Sequence, residues 1–391
     1  MAELKTTSAA IYFGNMDAEL EELELLTRAD ASNAALVLRL SGVLHTRGRF
    51  KDDPVEMQRG IDLLATCERL DPTDARCPLA RAEQEQSLHR FKQARADLER
   101  ARTLRGDATR IEDLAAELDW NDGRYDVAIP AIRRARAARP STGTWMREAQ
   151  LEHDLGNEEA ADRAFERAED LINDTSPLVV AHLNLQRGIQ KASVGRLDEA
   201  IVFFRAAVER IPDYVAGNEH LAEALHMAGK DEESTRLYEK VVSLSDDPEF
   251  AHALAERYAA SGQTEKAKPL AAKARARYEE LLKRFPEAMY WHASEYFRAI
   301  GERDRARTLL RQNLELRPNA TSLVALARIE LETGHLPEAR AAIDKALAMP
   351  LVSAPLFFTA SRIYEKVGDA AASARFRERA LALNPRIAKD D

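Results

Sequence analysis

The side chains of this sequence with most capacity for chemistry are histidine and glutamate. His153, His182, His220, His226, His252 and His292 fall between residues 142 and 300, interleaved with Glu219, Glu223, Glu256 and Glu295. Imidazole and carboxylate together suit Zn, Cu, Ni or Fe, and His226 with His252 would be the ligands of such a site. Polar surface histidines explain the same residues, and no pair has the HExxH kind of spacing on one helix. The two cysteines, Cys67 and Cys77, form no CxxC, and their number excludes a zinc or iron–sulfur site made of thiolates. No GxSxG, GxGxxG or GxxxxGK[ST] occurs, and no third member completes a Cys–His site. The reading is a non-catalytic protein with no cofactor.

The elements that carry these residues are helices. The 391 residues are 45% hydrophobic and 31% charged, with only 16 Gly and 15 Pro, the composition of a folded, helix-rich, soluble chain. A formal net charge of −9 argues against a nucleic-acid partner, because phosphate contacts need clustered Lys and Arg. The longest uncharged run, Ala346 to Ser361, is interrupted by Pro350 and Pro355 and is too short to span a bilayer, so no membrane insertion is expected. The opening MAELKTTSAA lacks the layout of a signal peptide. The default compartment is therefore cytoplasmic, with an exported or periplasmic protein the alternative if a leader was removed.

Self-similarity organises the chain. Gly123, Gly156, Gly195, Gly229, Gly262, Gly301, Gly334 and Gly368 recur at steps of 33, 39, 34, 33, 39, 33 and 34, the steps of 39 carrying a short insertion. Five residues after each comes Ala128, Ala161, Ala200, Ser234, Ala267, Ala306, Ala339 or Ser373. Seven further on comes a second, mostly small column that includes Ala168, Ala207, Ala274 and Ala346. Pro140, Pro212, Pro318 and Pro385 close units. Glycine supplies a left-handed helix C-cap, small residues let antiparallel helices approach, and proline stops a helix. Upstream, His89 takes the glycine's place. Gly48 and Phe50 are expected to begin a turn with about seven extra residues, and Gly14 to Ala31 reads as the second helix of a degenerate repeat.

This order of Gly, Ala, aromatic, Ala and Pro, clearest in GRLDEAIVFFRAAVERIPD (Gly195 to Asp213), resembles the tetratricopeptide repeat family. The resemblance covers nearly the whole chain. It implies an all-α, right-handed superhelical solenoid of about ten helix–turn–helix repeats, whose first helices line a concave groove. The expected organisation is an N-terminal half-repeat or cap over 1–33, the array over 34–385 and a tail over 386–391. The apolar stretch Ala9 to Phe13 looks too short for a full first helix and suited to packing against a partner.

Such a groove would bind a protein or peptide. Helical phase places Glu219, Glu223 and His226 opposite the buried face of their helix, with His252 and Glu256, then Trp291 and Glu295, in the same place on the next two first helices. Glu83 and Glu117 occupy the equivalent central position earlier in the chain, so an acidic stripe and a basic partner are expected. Trp120, Met146 and Trp291 suit the apolar part of such an interface, with Leu185 and Ile189 readable equally as core. The alternative is a ligand or metal carrier using the same His/Glu face. Cys67 and Cys77 flank the turn at Pro72, which leaves two readings open: a disulfide, which would favour the exported alternative, or a buried free thiol at a small-residue position.

Overall fold

The computed structural model describes residues 5–390, all of whose regular structure is helical. The first four residues of the expected cap and the last of the tail lie outside the described residues. After helix α1 (Ala9–Ala29) come the hairpins α2 (Ala34–Lys51) with α3 (Pro54–Leu70), α4 (Arg76–Ser87) with α5 (Phe91–Thr103), and α6 (Ala108–Asn121) with α7 (Tyr125–Ala138). Next are α8 (Thr142–Asp154) with α9 (Glu158–Asp170), α10 (Pro177–Ser193) with α11 (Leu197–Arg210), and α12 (Val215–Met227) with α13 (Asp231–Leu244). The remaining pairs are α14 (Pro248–Ala260) with α15 (Thr264–Arg284), α16 (Pro286–Ala299) with α17 (Arg303–Leu316), α18 (Ala320–Glu332) with α19 (Leu336–Leu347), and α20 (Ala354–Val367) with α21 (Ala370–Leu383). A single turn, α22 (Ile387–Asp390), follows. The ten hairpins form a right-handed superhelical solenoid.

Local chemistry sets these boundaries. Side chains of Asn33, Asp53, Asp107, Ser141, Ser176, Asp247, Asn319 and Ser353 accept hydrogen bonds from the first free backbone N–H groups of their helices. Eight hairpins turn on a glycine with φ between 70° and 89°. His89 (φ 58°) and Asp52 (φ 54°) take that left-handed position in the other two. The first turn therefore lies at Asp52. Gly48 and Phe50, expected to start it, are still inside α2, because the intrahelical ladder continues to Lys51. The steps of 39 are accommodated by a longer α10 after the 171–176 loop, and by the 21 residues of α15.

Small residues control how the helices meet. Ala128, Ala161, Ala200, Ser234, Ala306 and Ala339 have no exposed surface, and neither do Ala168, Ala207, Val241, Ala274, Asn313, Ala346 and Ala380 in the second column. The two fully buried polar column residues are satisfied: Ser234 Oγ donates to the Ala222 carbonyl at 2.7 Å, and Asn313 Nδ2 to Ser322 Oγ at 3.0 Å. Phe165, Phe204 and Tyr278 fill the space between small residues. Cys67, at the end of α3, and Cys77, at the start of α4, are joined by a disulfide across Cα atoms 5.9 Å apart, buried beside Val37.

The superhelix is wound so tightly that successive turns touch. The turn inside each early hairpin meets a loop between two later hairpins. Ala320 N donates to Tyr125 OH at 3.0 Å over 195 residues of chain. Val352 N donates to the Asp154 carbonyl at 2.9 Å, and Asn384 Nδ2 to the Ser193 carbonyl at 3.1 Å. Glycine is required twice over here. A Cβ on Gly123 would stand 2.6 Å from the Pro318 carbonyl oxygen, and one on Gly156 would stand 2.7 Å from Val352 Cγ1. Gly229, Gly262, Gly301, Gly334 and Gly368, on the second turn, have nothing near.

The N-terminus joins the same seam. Rather than a short stretch awaiting a partner, Ala9 to Phe13 begins a 21-residue helix that packs on the chain's own second turn. Phe13 lies on Phe50 (4.1 Å between centroids), Phe50 stacks on Tyr214 (5.6 Å, 8°), and Thr7 N donates to the Thr175 carbonyl. At the other end Arg386 Nη2 donates to the Met227 carbonyl at 2.5 Å, so the tail begins on the seam too.

Ala200→Trp should overpack the α10–α11 crossing, where Leu185, Phe204, Leu221 and Leu225 already fill the space, and cost about 3 kcal/mol. Glu223→Ala, at a side chain 57% exposed, should change stability by no more than about 0.5 kcal/mol. Urea unfolding of the two variants checks the repeat register, which equal midpoints would contradict.

Candidate functional site

The first helices of the hairpins form an inner wall, and it encloses continuous space. A cavity of about 1000 Å³ runs past α2, α4 and α6 and shares Gln86, Glu117 and Arg147 with a second of about 470 Å³. The second shares His153, Asp154 and Ile189 with a third of about 460 Å³, which reaches Glu223 on one turn and Val352 and Asn384 on the next.

Glu117 lines this space, but Arg147 Nε donates to it at 2.5 Å and Gln86 Nε2 at 2.9 Å. Glu83 is likewise held by Arg110, and Glu295 by Arg328 at 2.6 and 2.7 Å from the next first helix. The expected stripe is therefore neutralised at these three places by arginines one repeat on. Trp120 lines the second cavity, edge-on to Tyr125 at 4.7 Å. Met146 does not line the groove: it is 8% exposed and packs against Ala149, Phe165 and Leu183, because its helix turns that face toward its own partner. Leu185 is likewise core, while Ile189 does line the wall. Trp291 is half-buried against the Tyr278–Phe297 cluster, with the Arg317 guanidinium 6.0 Å over its ring.

The carboxylates left without arginine partners gather on α12, α14 and the turn of α2. Glu219 is 14% exposed, with its Oε2 3.2 Å from His220 Nδ1, and Glu223 stands 3.8 Å from the same nitrogen. His252 Nε2 lies 3.7 Å from Glu256. His292 Nδ1 lies 2.9 Å from Glu249, and Asp52, from the other turn, is close enough to interact with His292, Glu249 and Asp247. His226 turns away to Asp231 at 2.6 Å, at the far end of its helix, so the pairing of His226 with His252 as metal ligands is not formed. In its place Glu219, His220 and Glu223 bring three ligand atoms within 4.8 Å of one another.

Enclosure and neighbouring charge set the ionisation here. Burial pushes Glu219 up to about 8, with His220 opposing and Glu223 adding to the rise. Burial, then Asp52 and Glu249, push Asp247 to about 8. Burial disfavours the charged forms of His220 and His292, but Glu219 and Glu223 in one case and Glu249 in the other override it and hold both near 9. Across the wall the balance reverses. His45 and His182 are pushed down to about 4 by burial and then by Arg49, and His89 to about 3 by burial and then by Arg317. Glu249 and His292 remain about half exposed, so water screens their attraction and the pair is a weak clamp.

The sequence carried no signal for Asp52, Asp247, Glu249 and His292 as one group, since only the pitch of the superhelix brings α2 to α14 and α16. Glu219 and Glu223 were readable from helical phase, whereas His220 was not placed beside them and His226 was.

The pH dependence follows in sign. Stabilisation from His220 and His292 is complete below their usual 6.5 and is lost as pH rises through about 9. Asp247, raised from an ordinary 3.8 to about 8, removes stability progressively as pH rises between those two values, and the loss is complete above about 8. The melting temperature should therefore fall between pH 6.5 and 9.5. Asp247→Asn, which retains a capping side chain oxygen for α14, should make that fall shallower; an unchanged slope in calorimetry would contradict the assignment.

Residues 292–350 match the family model of the tetratricopeptide repeat. No curated protein matches the sequence significantly. Among solved structures, yeast Tom70 is 13% identical, covering 96% of this chain and 90% of that one at a TM-score of 0.42. The human IFIT1 dimer with PPP-AAAA is 13% identical, covering 97% and 96% at 0.46. A tetratricopeptide repeat protein from Parabacteroides merdae is 15% identical, covering 64% and 96% at 0.39. At these values the likenesses say nothing of what this chain binds. The match to the tetratricopeptide repeat covers residues 292–350, and the same left-handed hairpin turn stands along the whole array.

Proposed function

We propose that the protein is a non-catalytic interaction scaffold that holds a basic segment of a protein or peptide partner against its inner wall. The repeat family supports a protein partner. The observation that carries the basic character is the convergence of Asp52, Glu219, Glu223, Asp247, Glu249 and Glu256 on one stretch of that wall; protonated His220 and His292 answer part of this charge, and Glu219 and Asp247 add theirs only as pH rises through about 8. A wall of this sign repels nucleic-acid phosphate and attracts Lys and Arg side chains.

A metal carrier is the second reading, favoured by the three ligand atoms of Glu219, His220 and Glu223. Their donor set fits a borderline divalent ion. Metal analysis of untagged protein separates the two readings.

Among the described residues no helix is long and apolar enough to cross a membrane. Between the cytoplasmic default and the exported alternative, the Cys67–Cys77 bridge favours the second, because disulfides persist in oxidising compartments. Protein taken from its native host, denatured without reductant, should accept no alkylating agent; two alkylated thiols would return it to the cytoplasm.

Replacing Glu219, Glu223 and Glu256 together by Lys should weaken binding of a Lys/Arg-rich peptide by tenfold or more. Binding to the unaltered protein should weaken as salt rises from about 0.05 to 0.5 M. Affinity indifferent to both changes would overturn the reading.

A further inference from the structure

An open tetratricopeptide groove would accept its partner from the side, so any exposed loop of a folded protein could lie down in it. Here the side is shut. The hairpin turns at Asp52, Arg90, Gly123, Asp154 and Ser193 each meet the second superhelical turn, at Asp247, Glu287, Pro318, Val352 and Asn384 in the same order. The regular offset, 195 residues at Tyr125–Ala320 and 191 at Ser193–Asn384, makes this one seam rather than scattered contacts. Phe13, Phe50 and Tyr214 extend the seam to the chain's beginning. Asp52 and Glu223 of the proposed site line the linked cavities, the third of which runs up to the seam itself, against Asp154 and Ser193 on one turn and Val352 and Asn384 on the next.

We propose that the partner enters this lumen end-on, as an extended basic peptide with at least one free terminus. Segments held at both ends by folded domains are excluded unless the seam opens. This rests on the basic-partner reading above and adds the route. Three features set the class of partner. The enclosed space is continuous from α2 to α20, so it accepts a chain and not only a single side chain. The charge that His220 and His292 leave unanswered around Glu223, Glu249 and Glu256 is negative, so the segment seated there is rich in Lys or Arg, and like charges keep such a chain extended. The contacts between the two turns give no lateral door, so a bulky group on each end of the segment bars it sterically. Entry by threading predicts slow association, because few encounters present the free end correctly.

The test uses the whole protein and three forms of one probe: a labelled decalysine peptide, the same peptide fused at one end to a small folded domain, and the same peptide fused at both ends. Stopped-flow anisotropy should give similar association rates for the first two, and a rate at least tenfold lower for the third. A companion variant, Tyr125→Phe with Val352→Glu, removes the hydroxyl that accepts from Ala320 N and sets a carboxylate against the Asp154 turn. Both changes lie on the seam and outside the small-residue columns, so helix content should persist. Small-angle scattering should report a longer particle, and the doubly fused probe should now bind within about threefold of the others.

Equal association of all three probes with the unaltered protein overturns threading while leaving the basic-partner reading intact. Failure of every probe to bind overturns both. Continued exclusion of the doubly fused probe from a variant whose turns have separated overturns the seam as the barrier.

Discussion

The close crossing of antiparallel helices at side chains no larger than alanine, serine or valine is the constraint from which the rest of this structure follows. Ala200, Ala207 and their counterparts have no exposed surface because a neighbouring helix lies directly on them. That closeness fixes the geometry within each hairpin and, repeated ten times, fixes curvature and pitch. A small rotation per repeat is summed along the chain, so one larger residue in a column would alter contacts some 195 residues away, as well as its own.

Pitch converts a one-dimensional array into something closer to a closed body. In most solenoids each repeat touches only its neighbours, and stability adds repeat by repeat. Here the Gly123, Gly156 and Ser193 turns carry the next superhelical turn on top of them. Early and late repeats therefore share hydrogen bonds and lose them together. The cost is electrostatic: bringing Asp52 to Asp247 and Glu249 sets like charges side by side, and His292 relieves only part of it.

The enclosed wall sorts its ionisable groups by what stands beside each of them. Glutamates with an arginine one repeat on, such as Glu117 and Glu295, are neutralised in pairs and add shape more than charge. Those on α12 and α14 have imidazoles instead, which answer them less completely. The negative end of the lumen is a consequence of which first helices carry arginine, and a long binding surface acquires direction from it.

Much of this was legible in the residues. The spacing of the turn glycines gave the hairpins, the small columns gave the helix crossings, and helical phase set Glu219 and Glu223 opposite the buried face of their helix. Each of these depends on residues within one or two repeats, where 3.6-residue periodicity and backbone stereochemistry leave few choices. Met146 was misread because a groove position and a partner-facing position differ by a fraction of a helical turn. The first hairpin turn was misread because Asp52 adopts the left-handed conformation that glycine marks elsewhere. What only the tertiary structure decided is everything that depends on pitch: the seam, the docking of Phe13 on Phe50 and Tyr214, and the meeting of Asp52 with His292. A few degrees of rotation per repeat leave no mark on any local pattern, yet summed over half the chain they decide whether two turns touch.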